Sequence, residues 1–228
     1  MNVDGKHYRS IWYDQASNDV MIIDQRFLPH QFKIKPLCDL EDFGNAISNM
    51  EVRGAPLIGA TASYAMAIQM RYDPSDKSLQ DSWEYLNSTR PTAINLRWAL
   101  DRCKKKLEPL KENLRATVAL ELAQKICDED IEINRNIGKY GLELIKKHAR
   151  NKANGEPVRI LTHCNAGWLA TVDWGTATSP MYQAHNNKIP IHVWVDETRP
   201  RNQGAITSWE LNCHGINNSY ITDNAGGH

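Results

Sequence analysis

The sequence has few of the features that mark disulfide-linked or metal-binding proteins. Its five cysteines are an odd number at wide, irregular spacing, and no Cys-x-x-Cys pair occurs among its 228 residues. The eight histidines form no His-Glu-x-x-His pattern. We therefore expect reduced thiols, no bound metal and no disulfide framework.

An excess of one charge and a long apolar run are also missing. Lysine plus arginine and aspartate plus glutamate are 27 each, so the formal net charge is zero. A balanced chain has no long-range attraction for nucleic acid or anionic membranes. No run approaches the roughly 18 apolar residues of a membrane-spanning helix, and the first residues do not resemble a signal peptide. We expect a cytoplasmic protein that binds neither nucleic acid nor membrane.

The first 150 residues are predicted to form an N-terminal domain of short strands and helices. Residues 8–13 and 19–24 are rich in side chains that favour β-structure. From residue 39 to about residue 148, apolar positions recur at helical spacing. The polar residues 151–157 contain Gly and Pro and are the expected linker to a second domain.

Three of the predicted helices matter for the argument. One follows Pro56 and is unusually rich in small residues, which favours close packing against a neighbour. A second is expected to start near Arg90, where an arginine and a proline follow two hydroxyl side chains. The third covers residues 117–148, with an expected break at the acidic residues 128–130.

After the linker, the pattern changes to alternating strands and helices. The predicted elements are strand 159–164, helix 169–186, strand 189–195, helix 203–213 and strand 219–223. A strand-to-strand spacing of about thirty residues is typical of parallel crossover units. The fold class is therefore α/β, in which residues 151–228 form a Rossmann-like parallel-sheet domain. Because the chain stops soon after the third strand, we expect an incomplete sheet and a fragment of a longer protein.

Cys164 lies where the first of these strands ends, and small residues follow it. The carboxyl ends of parallel strands form the ligand crevice of open α/β sheets. The next two strands end in Asp196-Glu-Thr-Arg199 and Thr222-Asp-Asn224, and Gln203 opens the helix between them. Three polar strand ends favour a site, although a free cysteine is also often a buried, inert side chain. His163 precedes Cys164, and strand alternation would direct the two side chains to opposite faces, which argues against a shared metal.

Two arginine motifs are candidates for binding an anion. Arg53-Gly54-Ala55-Pro56 leads into the small-residue helix, whose first amides are unpaired and attract negative charge. Arg90 and its neighbours repeat this arrangement. An ordinary turn with a solvated arginine would give the same pattern, so both interpretations stay open at this point.

Six motifs, in this order along the chain, resemble the motifs of a known protein family. They are Ile23-Asp-Gln-Arg-Phe-Leu-Pro29, Val52-Arg-Gly-Ala-Pro56, Arg90-Pro-Thr-Ala-Ile-Asn-Leu96, Leu161-Thr-His-Cys-Asn-Ala-Gly167, Asp196-Glu-Thr-Arg-Pro-Arg-Asn-Gln-Gly-Ala205 and Ile221-Thr-Asp-Asn224. Across essentially the whole chain, this set resembles the methylthioribose-1-phosphate isomerases, a branch of the initiation factor 2B family.

The resemblance implies an aldose–ketose isomerase that converts 5-methylthioribose 1-phosphate into 5-methylthioribulose 1-phosphate in methionine salvage. It implies a homodimer that needs no cofactor. The substrate-binding residues carried over by motif are Arg53, Gly54, Ala55, Arg90 and Gln203. Cys164 is carried over as a catalytic acid–base group.

One part of the family pattern is missing. The family's second catalytic residue is an aspartate in a Gly-Ala-Asp-Arg stretch, which does not occur in this chain, and Asp223 belongs to a different motif. We therefore expect the 228-residue chain alone to be inactive. Two alternatives stay open: an isomerase of 5-deoxyribose 1-phosphate or ribose 1,5-bisphosphate, and a non-catalytic subunit like those of initiation factor 2B.

Overall fold

The computed structural model describes residues 1–153 and 155–227, and their contacts divide the chain into two compact units. One unit is Ser10–Asp130, and the other joins Met1–Arg9 to the chain from Ile131 onward. This division lies inside a long helix, whereas the domain boundary predicted between residues 150 and 151 coincides with the end of that helix. The boundary between folding domains therefore stays a prediction.

The described residues form short strands and longer helices. The strands are β1 (Asn2–Val3), β2 (Lys6–His7), β3 (Ile11–Asp14), β4 (Asp19–Ile23), β5 (Ile34–Leu37), β6 (Val158–Thr162), β7 (Ile191–Asp196) and β8 (Asn218–Ile221). The α-helices are α1 (Leu40–Ser48), α2 (Ala55–Tyr72), α3 (Asp76–Thr89), α4 (Ile94–Leu107), α5 (Glu112–Ala149), α6 (Ser179–Asn186) and α7 (Gln203–Cys213). None of the helices in the described ranges is both long and apolar enough to cross a membrane.

In the unit Ser10–Asp130, an antiparallel sheet of order β3-β4-β5 accompanies the helices α1 to α4. The sheet contains the two predicted β-rich segments. The central helix is α2, which is buried from Leu57 to Ile68. Its small side chains explain this burial, because a Cβ added at Gly59 would lie only 3.0 Å from the Asn95 carbonyl oxygen of α4. The starts of α2 and α4 therefore adjoin.

Two helices of this region differ from the predictions. The helix α3 has few apolar residues and was not predicted; Ser75 caps it by accepting a hydrogen bond from the Ser78 amide at 3.2 Å. The expected break of α5 at residues 128–130 is wrong. Asp128 is exposed, and Glu129 accepts a hydrogen bond from Arg102 Nη2 at 2.9 Å, so the acidic run stays helical.

The other unit contains the predicted parallel sheet, with strand order β6-β7-β8. Thr162 pairs with Val195, and Val195 pairs with Tyr220, so the carboxyl ends of all three strands lie at one edge. The valines of one face are buried, whereas Leu161 and Trp194 on the opposite face are 50% and 37% exposed. In the described part of the chain, this face of the sheet is therefore partly uncovered, whereas parallel sheets are normally covered on both faces.

The helix predicted over residues 169–186 is shorter than expected. Only α6 is α-helical in this segment, and a short 3-10 helix, Trp168–Ala170, precedes it. Trp174 and Gly175 have φ angles of 70° and 74°, which a right-handed helix cannot include. The helix α7, in contrast, has the predicted limits.

Substitution of Gly204 tests the contact between the start of α7 and the end of β7. A Cβ added there would overlap the Asp196 carbonyl oxygen, which is backbone and cannot move aside. We expect Gly204→Ala to lower the free energy of unfolding by about 2 kcal/mol, although alanine is the better helix former. Urea denaturation measures the change. Gly227→Ala is the control, because nothing lies within 4 Å of its added Cβ, and equal stability of the two variants would contradict this packing.

Candidate functional site

Cys164 follows β6 at the carboxyl edge of the parallel sheet and has a left-handed backbone with φ 67°. Of the five cysteines, all within the described ranges, it is the one with an exposed residue surface. A non-glycine residue in this conformation costs on the order of 1–2 kcal/mol, so neighbouring contacts must hold it. Exposure and backbone strain both argue against the interpretation of Cys164 as an inert core side chain.

Two threonine hydroxyls hold the Cys164 backbone from opposite sides. The Cys164 amide donates to Thr198 Oγ1 at 2.7 Å, and Thr198 follows β7. The Cys164 carbonyl oxygen accepts from Thr207 Oγ1 of α7 at 2.8 Å. Both backbone polar groups of the strained residue are therefore satisfied by side chains.

The third strand end joins the same network through Asp223. Its carboxylate oxygens accept the amide of Thr198 at 2.7 Å and the amide of Arg199 at 2.9 Å. The Arg199 amide, together with that of Thr198, holds the pKa of Asp223 below its usual value. Hydrogen bonds thus connect the ends of β6, β7 and β8, which the sequence had predicted to converge.

Gln203 is the half-buried first residue of α7. It lies one helical turn before Thr207, so both side chains share the helix face that reaches Cys164. The structure therefore brings Gln203 to the cysteine side of the crevice. Its contact with a substrate stays a prediction.

Sequence reasoning missed Glu210, which orders the segment after Cys164. This side chain is 1% exposed. Its carboxylate accepts the Leu169 amide at 2.7 Å and the Asn165 side-chain amide at 3.1 Å. A Cβ at Gly167 would overlap the same carboxylate, so a small residue is needed there. The signal in the sequence is that Glu210, the single acidic residue of 203–213, lies one helical turn after Ile206 and so shares its apolar face.

His163 lies beside the end of β7. The strand β6 ends at Thr162, and Cys164 is left-handed, so the argument that placed the two side chains on opposite faces does not apply. His163 Nδ1 lies 3.2 Å from Asp196 Oδ2, and one ligand atom of Asp223 completes a group whose atoms are within 4.8 Å of one another. His163 and Asp196 are joined by this contact, whereas Asp223 accepts the amides of Thr198 and Arg199. The absence of a metal stays a prediction.

The first arginine motif, in the unit Ser10–Asp130, has the expected helix start. Gly54 is the N-cap of α2 with φ 92°, a conformation that favours glycine. Ala55 is exposed at the first helical position, and half-buried Arg53 donates from Nη2 to the Gln25 carbonyl oxygen at 3.3 Å. This end of the helix can receive an anion at its free amides.

The second arginine motif lies between two helices: the predicted helix is present as α4, but its start near Arg90 was placed four residues too early. Arg90 caps the carboxyl end of α3, and α4 begins only at Ile94. The hydroxyls of Ser88 and Thr89 donate to carbonyl oxygens of α3 at 2.7 and 2.6 Å. Arg90 Nη1 is buried and has no hydrogen-bond partner among the described residues, and a buried guanidinium donor requires an acceptor.

Comparison with known proteins gives consistent family relationships. Named methylthioribose-1-phosphate isomerases from Brucella anthropi and Cereibacter sphaeroides are 57% and 58% identical to this chain over 229 residues. All of this chain is matched in both cases, but only 63% and 62% of the relatives' own length. The chain therefore spans about three-fifths of the proteins it matches.

Solved structures show the same fold. The 5-methylthioribose 1-phosphate isomerase of Pyrococcus horikoshii superposes with a TM-score of 0.85 at 38% identity, over 96% of this chain and 61% of its own. The delta subunit of initiation factor eIF-2B from A. fulgidus gives a TM-score of 0.83 at 36% identity, over 96% of this chain and 63% of its own. The model of the initiation factor 2 subunit family matches residues 51–228. Because that match covers most of the sequence, the chain belongs to the initiation factor 2 subunit family.

Proposed function

We propose that the protein is an aldose–ketose isomerase that converts 5-methylthioribose 1-phosphate into 5-methylthioribulose 1-phosphate in methionine salvage. The observation that carries the proposal is Cys164, an exposed residue with a strained backbone where three strand ends meet. The names of relatives that are 57% and 58% identical support the substrate. The proposal includes a cytoplasmic homodimer that works without a cofactor and binds neither nucleic acid nor membrane.

The proposed reaction needs an acid–base group in the crevice. A phosphate on the anomeric carbon prevents spontaneous opening of the sugar ring, so the enzyme must assist cleavage of the bond between C1 and the ring oxygen. The ring oxygen gains a proton, the C2 hydroxyl loses one, and the hydrogen on C2 moves to C1. Cys164 is the proposed acid–base group for one of these proton transfers.

The phosphosugar is proposed to bind through Arg53, Gly54, Ala55, Arg90 and Gln203. Two observations support the phosphate contacts. Of the first turn of α2, the Ala55 and Leu57 amides have no intrahelical partner, since Pro56 has no amide hydrogen and Ile58 bonds to Gly54. The buried Nη1 of Arg90 lacks an acceptor among the described residues. A phosphate supplies several acceptor oxygens to such donors.

A non-catalytic regulatory subunit is the second candidate. The likeness to the eIF-2B delta subunit, with a TM-score of 0.83, favours it because this relative has the same fold. A subunit that only binds has no use for a thiol held in a strained conformation, so the isomerase is the better-supported proposal.

Substrate turnover separates these functions. We expect the purified natural protein to convert 5-methylthioribose 1-phosphate, followed by ³¹P NMR. We expect kcat/KM for 5-deoxyribose 1-phosphate and ribose 1,5-bisphosphate to be at least about tenfold lower, because a pocket fitted to the methylthio group loses that contact. Absence of turnover for all three sugars in a folded protein would favour the regulatory subunit, and a preference for another sugar would correct the substrate.

Replacement of the thiol tests the role of Cys164. We expect Cys164→Ser to lower kcat by about 10²–10⁴-fold, because a serine hydroxyl is a far weaker acid, while KM changes little. Steady-state kinetics give both values. Cys213→Ser is the control: Cys213 is half-buried, and burial raises the pKa of its thiol to about 11, so this substitution should leave kcat unchanged. Equal kcat values for wild type and Cys164→Ser would show that Cys164 has a structural role and takes no part in proton transfer.

Replacement of Arg90, whose Nη1 is buried, tests the phosphate contact. We expect Arg90→Gln to raise the dissociation constant of the phosphosugar between about tenfold and a hundredfold, the range for one lost charged hydrogen bond. Isothermal titration calorimetry measures the change. Arg97→Gln is the matched control, because its side chain is 70% exposed and its Nε lies 3.7 Å from Asp101 Oδ2. Similar affinities of the two variants for the phosphosugar would show that Arg90 does not bind it.

A further inference from the structure

The hydroxyl of Thr198 makes two hydrogen bonds to backbone groups of the protein. It accepts the Cys164 amide at 2.7 Å and donates to the Asp196 carbonyl oxygen at 3.1 Å. One hydroxyl therefore links Cys164, two residues after β6, to the end of β7. Its donor direction is fixed by the carbonyl, which leaves a lone pair aimed at the Cys164 amide.

Thr198 is itself held in an unfavourable conformation. Its φ of 59° is left-handed, and β-branched residues adopt this region only as genuine outliers. The Asp223 carboxylate supplies the compensating contact by accepting the amides of Thr198 and Arg199 at 2.7 and 2.9 Å. Hydrogen bonds to an ionised carboxylate are stronger than neutral ones, so Asp223 can fix the loop after β7.

The opposite side of Cys164 is fixed from α7. Thr207 Oγ1 donates to the Cys164 carbonyl oxygen at 2.8 Å, and Thr207 is fully buried. The helix start that carries Thr207 is in turn packed on the Asp196 carbonyl through Gly204. The two peptide groups that flank the Cys164 Cα therefore cannot rotate while both hydroxyls are bonded.

We propose that Thr198, Thr207 and Asp223 form a clamp of positioning residues that holds Cys164 left-handed and fixes the direction of its Cα–Cβ bond, from which the thiol extends. The link to catalysis rests on the proposed isomerase function, whereas the hold on the backbone does not. Each of the three strand ends contributes one residue. Cys164 follows β6, and the Thr198 hydroxyl that binds its amide follows β7. Asp223, whose carboxylate holds the Thr198 amide, follows β8.

Hydrogen–deuterium exchange tests the hold on the backbone directly. Cys164 is exposed, so the bond to Thr198 Oγ1 is what protects its amide. We expect Thr198→Val, which has the same shape but no hydroxyl, to speed exchange of the Cys164 amide at least about tenfold. Thr198→Ser should restore protection. Asp223→Asn should speed exchange of the Thr198 and Arg199 amides by weakening both bonds.

Kinetics in the natural protein test the positioning. We expect Thr198→Val and Thr207→Val to lower kcat by about tenfold to a hundredfold with KM nearly unchanged, the effect of a displaced reacting group. Thr198→Ser should recover most of kcat. Ser208→Ala is the matched control: it removes the next hydroxyl along α7, whose partner is Asn218 at 2.6 Å, and should change neither exchange nor kcat. Equal melting temperatures exclude a loss of folding.

The outcomes distinguish the clamp from the proposed function. Unchanged exchange of the Cys164 amide in Thr198→Val would overturn the clamp, whatever the activity. Faster exchange with an unchanged kcat would overturn its role in positioning. If the wild-type protein had no isomerase activity, the proposed function would fall, and protection of the Cys164 amide by the Thr198 hydroxyl would still support the clamp.

Discussion

The hydrogen bond from the Cys164 amide to Thr198 Oγ1 is the contact on which the arrangement of the crevice depends. A left-handed cysteine costs on the order of 1–2 kcal/mol, and one ordinary hydrogen bond contributes only about 1 kcal/mol. The bond to Thr207 on the other side makes up the difference. The strain is thus offset only when both threonines are in place. The backbone conformation of Cys164 therefore depends on contacts from two other chain segments.

The sequence was sufficient to predict that these segments converge, because parallel strands bring their carboxyl ends to one edge. The helix α7 was predicted with its correct limits, since its apolar period follows a clear polar loop. The left-handed angles of Cys164 and Thr198 could not be predicted. They arise from partners far away in sequence, such as Thr207 and Asp223, and no local pattern encodes such pairings.

Errors in the helical region have a similar origin. The sequence around Arg90 was interpreted as a helix start, because a proline after hydroxyl residues is typical of one. Here the hydroxyls of Ser88 and Thr89 bond backwards to α3, a polar helix whose weak apolar period gave no sign of its presence. The same residue types fit either end of a helix, and only the packing of α3 decides between them.

Hydrogen bonding also separates structural arginines from candidate ligand-binding ones, which sequence alone cannot do. In the unit Ser10–Asp130, Arg115 is 2% exposed and bonds to backbone carbonyls and Asp76. Arg102 bonds to both oxygens of Glu129. The buried Nη1 of Arg90 has no such acceptor among the described residues. A buried donor without an acceptor costs about 1–3 kcal/mol, and an incoming phosphate oxygen would recover that cost on binding. Arg90 is therefore better suited to a ligand than to holding the fold together.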